Sequence, residues 1–570
     1  MSLRHAGASA ALVALTALAA CDEAKPLPAQ APAQPPAGPG ERCLSIVGWN
    51  DLHGQLDADD PVIDTGRVPA GGVVALADQI ASIRATGDAV VVLDAGDDFT
   101  GPLPSTMAEG APVVEAYRLL GVDAAALGNH DFDFGPVGYD KVTAPPGVGD
   151  EAGPNGPRGA LLARMSEATY PFLSANVQKK GGAPTGWPKH KAWTMVERGG
   201  FKVGVVGYTT QETPSTTLKP NVLDLDFATN AAARVGAAIR EARAQGAAPV
   251  VLLAHASIEG DLPAEIGDTR PHHGELAKLT AELGADKPDV IIGGHRHAWM
   301  LGRVNGIPIV SSDWRGIGLA RIRYCAASGA PRLENIERRT AMAVTPPVSD
   351  LGARVAAAMA RWQEKVRAIA EAPLGTLPRV CEPKAPNGTA LADQVARAQV
   401  ENVAAAAQPP AGVPVVGLTN IGSLRAPLGP GLVRFEDVFA VLPFENTVAA
   451  CGTTRAGLAR FIANALKKDA SRDRFPLGLS GLTLKVRRAE DRTLKLVSLE
   501  IAGQPKDMKD DAPVWLAISD FMLHGGDDLL DGVTCQPAVI SQARIRDAWR
   551  RVIEREKTCD GASKNVTVEP

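Results

Sequence analysis

Short, nearly uninterrupted apolar runs recur through the first half of the chain. They are CLSIVGWN (43–50), AVVVLDAGD (89–97), AAALGNHD (124–131), KVGVVGYTT (202–210), PVVLLAHAS (249–257), DVIIGGHRH (289–297) and IPIVSSDW (307–314). Runs this continuous and rich in Val and Ile predict strands buried on both faces rather than half-exposed ones. Between them lie Ala/Leu-rich stretches with helical periodicity, VVALADQIASIRATG (73–87) and NAAARVGAAIREARAQG (230–246). Strand alternating with helix predicts an α/β domain with buried sheets. A strong helix is expected over 348–371, with Ser349 as N-cap and Pro373 and Gly375 closing it. A second α/β-like half follows from about 374. Residues 141–168 are rich in Gly and Pro and are expected to form a surface insertion.

The ends and the composition add to this picture. At 570 residues, with 45% hydrophobic and 22% charged, the chain has globular composition and is too long for one core. A net charge of −5 leaves no basic footprint for a nucleic acid polymer. The apolar stretch Ala10–Ala20 is too short to span a bilayer and fits a signal-peptide core. It ends in LAAC, which resembles a bacterial lipobox, so residues 1–21 are expected to be a lipoprotein-type leader with Cys21 lipidated. The alternative is an ordinary cleaved leader. Residues 22–42, rich in Pro and Ala, would then tether the folded body. The other cysteines, Cys43, Cys325, Cys381, Cys451, Cys535 and Cys559, are even in number and form no CxxC pair. In an exported protein they favour disulfides over a thiolate metal site, with the pairing open.

Chemistry collects just beyond the predicted strands. The runs end in Asp51 and His53, in Asp97, in Asn129, His130 and Asp133, in His255, and in His295 and His297. Ends of successive strands converge on one rim of an open α/β sheet. At a strand end residues i and i+2 point the same way, so GGHRH is expected to set its two histidines side by side. Any one of these residues alone is an ordinary cap or core polar group. Together they offer carboxylate, amide and imidazole donors suited to Mn²⁺, Zn²⁺ or a similar ion. The set is too large for one ion and matches two, as in two-metal phosphoryl hydrolysis.

In this order DLHG, GD, GNHDFD, the strand-end His and GGHRH resemble the calcineurin-like metallophosphoesterases. More closely, with YPFLSANV (170–177) and GYTTQETP (207–214), they resemble the secreted bacterial 5′-nucleotidase / UDP-sugar hydrolase family. The resemblance covers nearly all of 43–530. It implies a four-layer α/β/β/α metallophosphoesterase domain over 43–347, an interdomain helix over 348–372 and a smaller C-terminal α/β substrate-binding domain over 373–560. It assigns Asp51, His53 and His297 to one divalent ion, Asn129, His255 and His295 to a second, and Asp97 to both. His130 and Asp133 resemble the catalytic dyad, the histidine stabilising phosphoryl charge and the acid orienting its ring.

In the second half, LTNIGSLRAPLG gives Asn420, Gly422 and Arg425, VLPFENT gives Phe444, and SDFMLHGGDDL gives Phe521 and Asp527. The resemblance makes the two phenylalanines a sandwich for a nucleobase, Arg425 and Asn420 holders of the substrate, and Asp527 a partner of the ribose. The family's Arg before Gly-Asn-Leu-x-x-Asp has no counterpart in CEPKAPNGTALAD (381–393), where Lys384 is the nearby cation and Thr389 replaces the Asn. The implied function is a dinuclear-metal phosphohydrolase acting on nucleotides outside the cytoplasm. It would be anchored by lipid on the periplasmic side of a bacterial membrane, or soluble there. The alternatives are a UDP-sugar or 2′,3′-cyclic nucleotide hydrolase, a thiosulfohydrolase, or a nucleoside-binding lipoprotein without turnover.

Overall fold

The computed structural model describes residues 40–58, 62–63, 66–139, 153–259, 272–406, 409–468, 474–490 and 493–569. The expected leader, nearly all of the tether and part of the Gly/Pro-rich segment lie outside these residues. The described end of that segment differs from the expected insertion. Gly159–Glu167 is a helix, and Leu161 and Met165, four apart on one face, are buried in the first core.

Two sheets stack in the first half. One has the strand order Arg332–Thr340, Gly318–Ala326, Arg42–Trp49, Ala89–Asp94, Ala124–Ala126, Phe172–Leu173, His190–Lys191. The other runs Met300–Val304, Ile307–Ser311, Val290–Gly293, Val250–His255, Phe201–Thr209, Trp193–Arg198. Ile46, Val91 and Leu93 of the first sheet meet Val205, Leu253 and Ile292 of the second. The intervening residues face outward into helices. Val47 and Val92 pack with Gly72–Arg84, Ala111–Leu120 and Asp350–Ala370, while Val206, Leu252 and Ile291 pack with Ala231–Ala244 and Glu275–Glu282. The central strands therefore meet apolar neighbours on both faces, which is why their runs do not alternate with polar residues. Strands Arg42–Trp49, Ala89–Asp94 and Ala124–Ala126 are mutually parallel, as are Phe201–Thr209, Val250–His255 and Val290–Gly293. Their C-terminal ends share one rim.

Helix Asp350–Ala370 starts where expected. Ser349 Oγ accepts from Gly352 N, and buried Asp78 accepts from the backbone of Val348 and Ser349. It packs on the first-half helices and also touches helix Phe435–Val441 of the second half. The second half is built on a five-stranded sheet, Leu477–Ser480, Val415–Asn420, Pro513–Ser519, Thr447–Thr454, Ala538–Arg544. Helices Ala390–Ala406 and Ile545–Glu556 cover one face. Helix Arg455–Lys468 and a three-stranded sheet cover the other. Three disulfides, Cys43–Cys325, Cys381–Cys559 and Cys451–Cys535, resolve the pairing that spacing left open. No helix among the described residues is long and apolar enough to cross a membrane.

Asp393 sits under this second sheet, where it accepts from Leu479 N, Ser563 Oγ and Asn565 Nδ2. Burial outweighs these bonds and pushes its carboxyl up to about 6. A folded-state value above the unfolded one makes the contribution largest below the ordinary aspartate pKa and removes it as pH rises through about 6. Between pH 4 and 7 the wild type is expected to lose on the order of 2 kcal/mol of stability relative to Asp393→Asn. Urea unfolding at both pH values measures the gap, and parallel pH profiles contradict it.

Candidate metal centre and substrate cleft

The loops that leave the parallel strands bend sharply. Asp51, His53, Asp97, His295 and His297 have φ of 52°, 48°, 65°, 78° and 52°. Non-glycine residues enter this left-handed region at a cost and are held there only by their surroundings. The holding bonds are backbone ones: Asp51 N donates to Gly96 O at 2.9 Å and His53 N to Asp97 O at 2.9 Å. Glycines make the close approach possible. A Cβ on Gly128 would stand 2.1 Å from Asp97 Oδ1, and one on Gly294 would stand 2.9 Å from His255 Nδ1.

Each carboxylate has one oxygen held and one bare. Asp51 Oδ2 accepts from His295 N at 2.9 Å and Asn50 Nδ2 at 2.6 Å; Asp97 Oδ1 accepts from His130 N at 2.8 Å. Asp51 Oδ1, Asp97 Oδ2 and His255 Nε2 are buried and make no hydrogen bond. The imidazoles behave alike. Nδ1 of His53 faces Thr100 O at 3.1 Å and Nδ1 of His255 faces Ala95 O at 2.9 Å. A nitrogen facing a carbonyl carries the proton, so both rings turn Nε2 inward, that of His53 meeting His297 Nε2 at 2.9 Å and that of His255 standing 3.0 Å from Asp97 Oδ2. Burial, with His297 beside it, holds His53 well below the usual imidazole range. Burial also disfavours charge on His255, yet Asp97 and Asp51 raise it to about 10, so the centre attracts positive charge.

Two donor groups result. Ligand atoms of Asp51, His53, Asp97 and His297 lie within 4.8 Å of one another, as do those of Asp97, His255 and His295. Asn129 Oδ1 joins the second group, 2.9 Å from His295 Nδ1. Two buried carboxylate oxygens without a hydrogen-bond donor, ringed by imidazole nitrogens and an amide oxygen, fit a pair of divalent ions that share Asp97. The two histidines of GGHRH reach this rim by turning through left-handed loop conformations past strand Val290–Gly293, not by strand alternation, and they serve different groups.

Beside these groups, His130 Nδ1 donates to Asp133 Oδ2 at 2.8 Å, and Thr217 Oγ1 donates to Asp133 Oδ1 at 2.8 Å. From the other half, Arg425 Nη2 stands 3.2 Å from His130 Nε2. The ring of Phe444 lies 5.3 Å from that of His130. A cleft of about 410 Å³ runs between the halves. Asp97, Asn129, His130, Asp133, His295 and His297 line it from the first half; Asn420, Gly422, Arg425, Phe444, Phe521 and Asp527 line it from the second. Asn420 Nδ2 donates to Asp527 Oδ2 at 2.8 Å. Asp51, His53 and His255 lie behind the metal-side wall. Lys384, the cation near the altered Gly-Asn-Leu-x-x-Asp segment, is not among the residues lining the cleft.

Several supporting residues carried no motif signal. Asn50 is buried and ties Asp51 to the loop after strand Ile307–Ser311, donating to Asp313 O at 2.6 Å and accepting from Ser312 N at 2.7 Å. Its place beside Asp51 in WNDLHG was the available clue. Arg546, 1% exposed, donates to Leu442 O, Phe444 O, Glu445 Oε1 and Tyr139 Oη, fixing the Phe444 loop against the first half. Nothing in its local sequence marks it.

Asn50→Ala removes the side chain that satisfies Ser312 N and Asp313 O. It is expected to cost about 1–3 kcal/mol of metal-free stability. It is also expected to weaken divalent-ion binding about 10- to 100-fold. Chelator-treated melts and calorimetric Mn²⁺ titration measure both, and wild-type values for both contradict this account of Asn50.

The family model for the 5′-nucleotidase C-terminal domain matches residues 370–532. The probable 5′-nucleotidase of Treponema pallidum is 25% identical over 576 residues, covering 90% of this chain and 91% of that protein. The snake venom 5′-nucleotidase of Gloydius brevicauda is 34% identical over 174 residues, which is 30% of this chain and 26% of the venom protein. The crystal structure of a 5′-nucleotidase precursor from Thermus thermophilus superposes with a TM-score of 0.71 at 20% identity, covering 92% of this chain and 99% of that one. The second half thus matches the 5′-nucleotidase C-terminal domain, and along nearly its whole length the chain is similar to 5′-nucleotidases in sequence and in fold.

Proposed function

We propose that this protein is a dinuclear-metal nucleotide phosphohydrolase, working outside the cytoplasm on nucleoside 5′-monophosphates. The observation that carries the proposal is one cleft lined by the metal-type donors from the first half and by Phe444, Phe521 and Asp527 from the second. A volume of about 410 Å³ suits a nucleotide-sized ligand. Attachment through lipid at Cys21, or release as a soluble protein after leader cleavage, belongs to the same proposal.

Asp51, His53, Asp97 and His297 would hold one ion and Asp97, Asn129, His255 and His295 the other. Bound there, the ions would supply a water of lowered pKa and neutralise charge on the phosphoryl oxygens. The chain's own groups do the rest. Arg425, always protonated, forks onto phosphoryl oxygens and leaves His130 as they arrive. Asp133 and Asp97 favour a proton on His130 against the cost of burial, with Arg425 opposing. Once Arg425 turns to the phosphate, His130 Nε2–H is free to donate to the phosphoryl group or the leaving 5′-oxygen. Asp133 keeps the ring oriented, and Thr217 keeps Asp133 in place. Phe444 and Phe521 stack the base, and Asp527, steadied by Asn420, meets the ribose hydroxyls.

Chelator-treated protein is expected to release no phosphate from AMP, and Mn²⁺ is expected to restore release. Asp97→Asn should lower the restored rate more than about 100-fold. A panel with UDP-glucose and a 2′,3′-cyclic nucleotide ranks substrates. Release from neither AMP nor any other nucleotide, with metal bound, overturns the proposal.

Phe444→Ala should raise KM for AMP about 5- to 100-fold, the value of one stacked base. Hydrolysis of a phosphate ester without a base should change little. An equal loss on both substrates would show that Phe444 acts through Arg425 and His130 rather than through stacking.

A further inference from the structure

His297 is the most exposed of the residues grouped around Asp51. Its side chain is 21% exposed, against 7% for His53 and 0% for Asp51 and His255. It also lacks the anchor the buried rings have. Among the described residues no hydrogen bond holds its Nδ1, whereas backbone carbonyls hold Nδ1 of His53 and His255. Yet its Nε2 is well aimed, 3.2 Å from Asp51 Oδ1 and 2.9 Å from His53 Nε2.

What fixes the ring is its flat face. The indole of Trp314 lies parallel to it, with centroids 4.9 Å apart and planes 11° apart. His53 meets His297 edge-on at 4.8 Å, so the imidazole is bounded by one face contact and one edge contact. The Arg315 guanidinium sits 4.0 Å from the centroid of the same indole, a cation–π contact that keeps the ring in place.

The segment carrying Trp314 is itself clamped to the site. Asp313 and Arg315, on either side, have φ of 52° and 53°. Such conformations persist where the surroundings over-determine them. Asn50 Nδ2 donates to Asp313 O, Arg338 Nη2 to Asp313 Oδ2, Gly72 N to Arg315 O, and Arg315 N to Asp51 O at 2.7 Å. The backbone that bonds to Asp51 thus presents the indole to His297.

We propose that Trp314 is a positioning residue. Its indole replaces the missing hydrogen bond to His297 and holds that histidine in the orientation needed by the Asp51–His53 ion, with no such role at the Asp97–His255–His295 ion. The inference rests on the two-ion reading.

The test is calorimetric Mn²⁺ titration of chelator-treated full chain, with wild type, Trp314→Leu and Trp314→Phe. Leucine keeps apolar bulk without a flat face; phenylalanine keeps the face. Trp314→Leu is expected to weaken one of two Mn²⁺ sites at least about 10-fold and spare the other. Trp314→Phe should bind both nearly as wild type does, with unchanged metal-free melting in each variant. Two wild-type sites with both unaffected in Trp314→Leu, or both weakened alike, overturn the inference alone. Fewer than two ions in the wild type overturn the two-ion reading and the inference with it.

Discussion

Two buried carboxylates organise this molecule. Asp51 and Asp97 each spend one oxygen on backbone N–H groups and leave the other bare. An unpaired buried carboxylate oxygen is costly, and a cation is the natural remedy. The arrangement exists because parallel strands from two stacked sheets end at one rim and the loops then turn left-handed. Glycines at 128 and 294 let those loops come close enough for His255, His295 and Asn129 to face the same carboxylates. Removing either the strand register or the loop turns would separate the donors by several ångströms while leaving the cores intact.

The second half contributes to the same centre across the cleft. Arg425 reaches His130, and Phe444, on the loop after helix Phe435–Val441, has its carbonyl held by buried Arg546. Arg546 also holds Tyr139 of the first half, and Arg544 lies over the same tyrosine ring at 4.3 Å. Substrate-holding groups and reacting groups are therefore aligned by contacts between the halves as well as by their own sheets. Opening the cleft would break Tyr139 from Arg546 and Arg425 from His130 together, which couples access to the base site with the state of the phosphoryl site.

Much of this was legible in the residue pattern. Unbroken apolar runs marked strands with both faces covered, and the polar residues just past them marked the rim. The seven candidate donors fell together because strand ends are fixed by topology once the sheet is parallel. Helix Asp350–Ala370 was visible from its cap and periodicity. What stayed hidden depends on contacts between distant segments. The disulfide partners are up to 282 residues apart. Arg546, Thr217 and Trp314 act on residues that local sequence does not place beside them. The helix Gly159–Glu167 was obscured by the Gly and Pro residues before it. The strand rule of same-side i and i+2 residues gave the right rim for His295 and His297 for the wrong reason, since positive φ at both positions directs each ring to its own group.

The central claim is that the rim holds two ions sharing Asp97. Anomalous diffraction from crystals grown with Mn²⁺ tests it most directly. The account predicts two peaks, about 3.5–4 Å apart, one beside His53 and His297, the other beside His255 and His295, with Asp97 touching both. A single peak, or two peaks of which only one contacts Asp97, would contradict it.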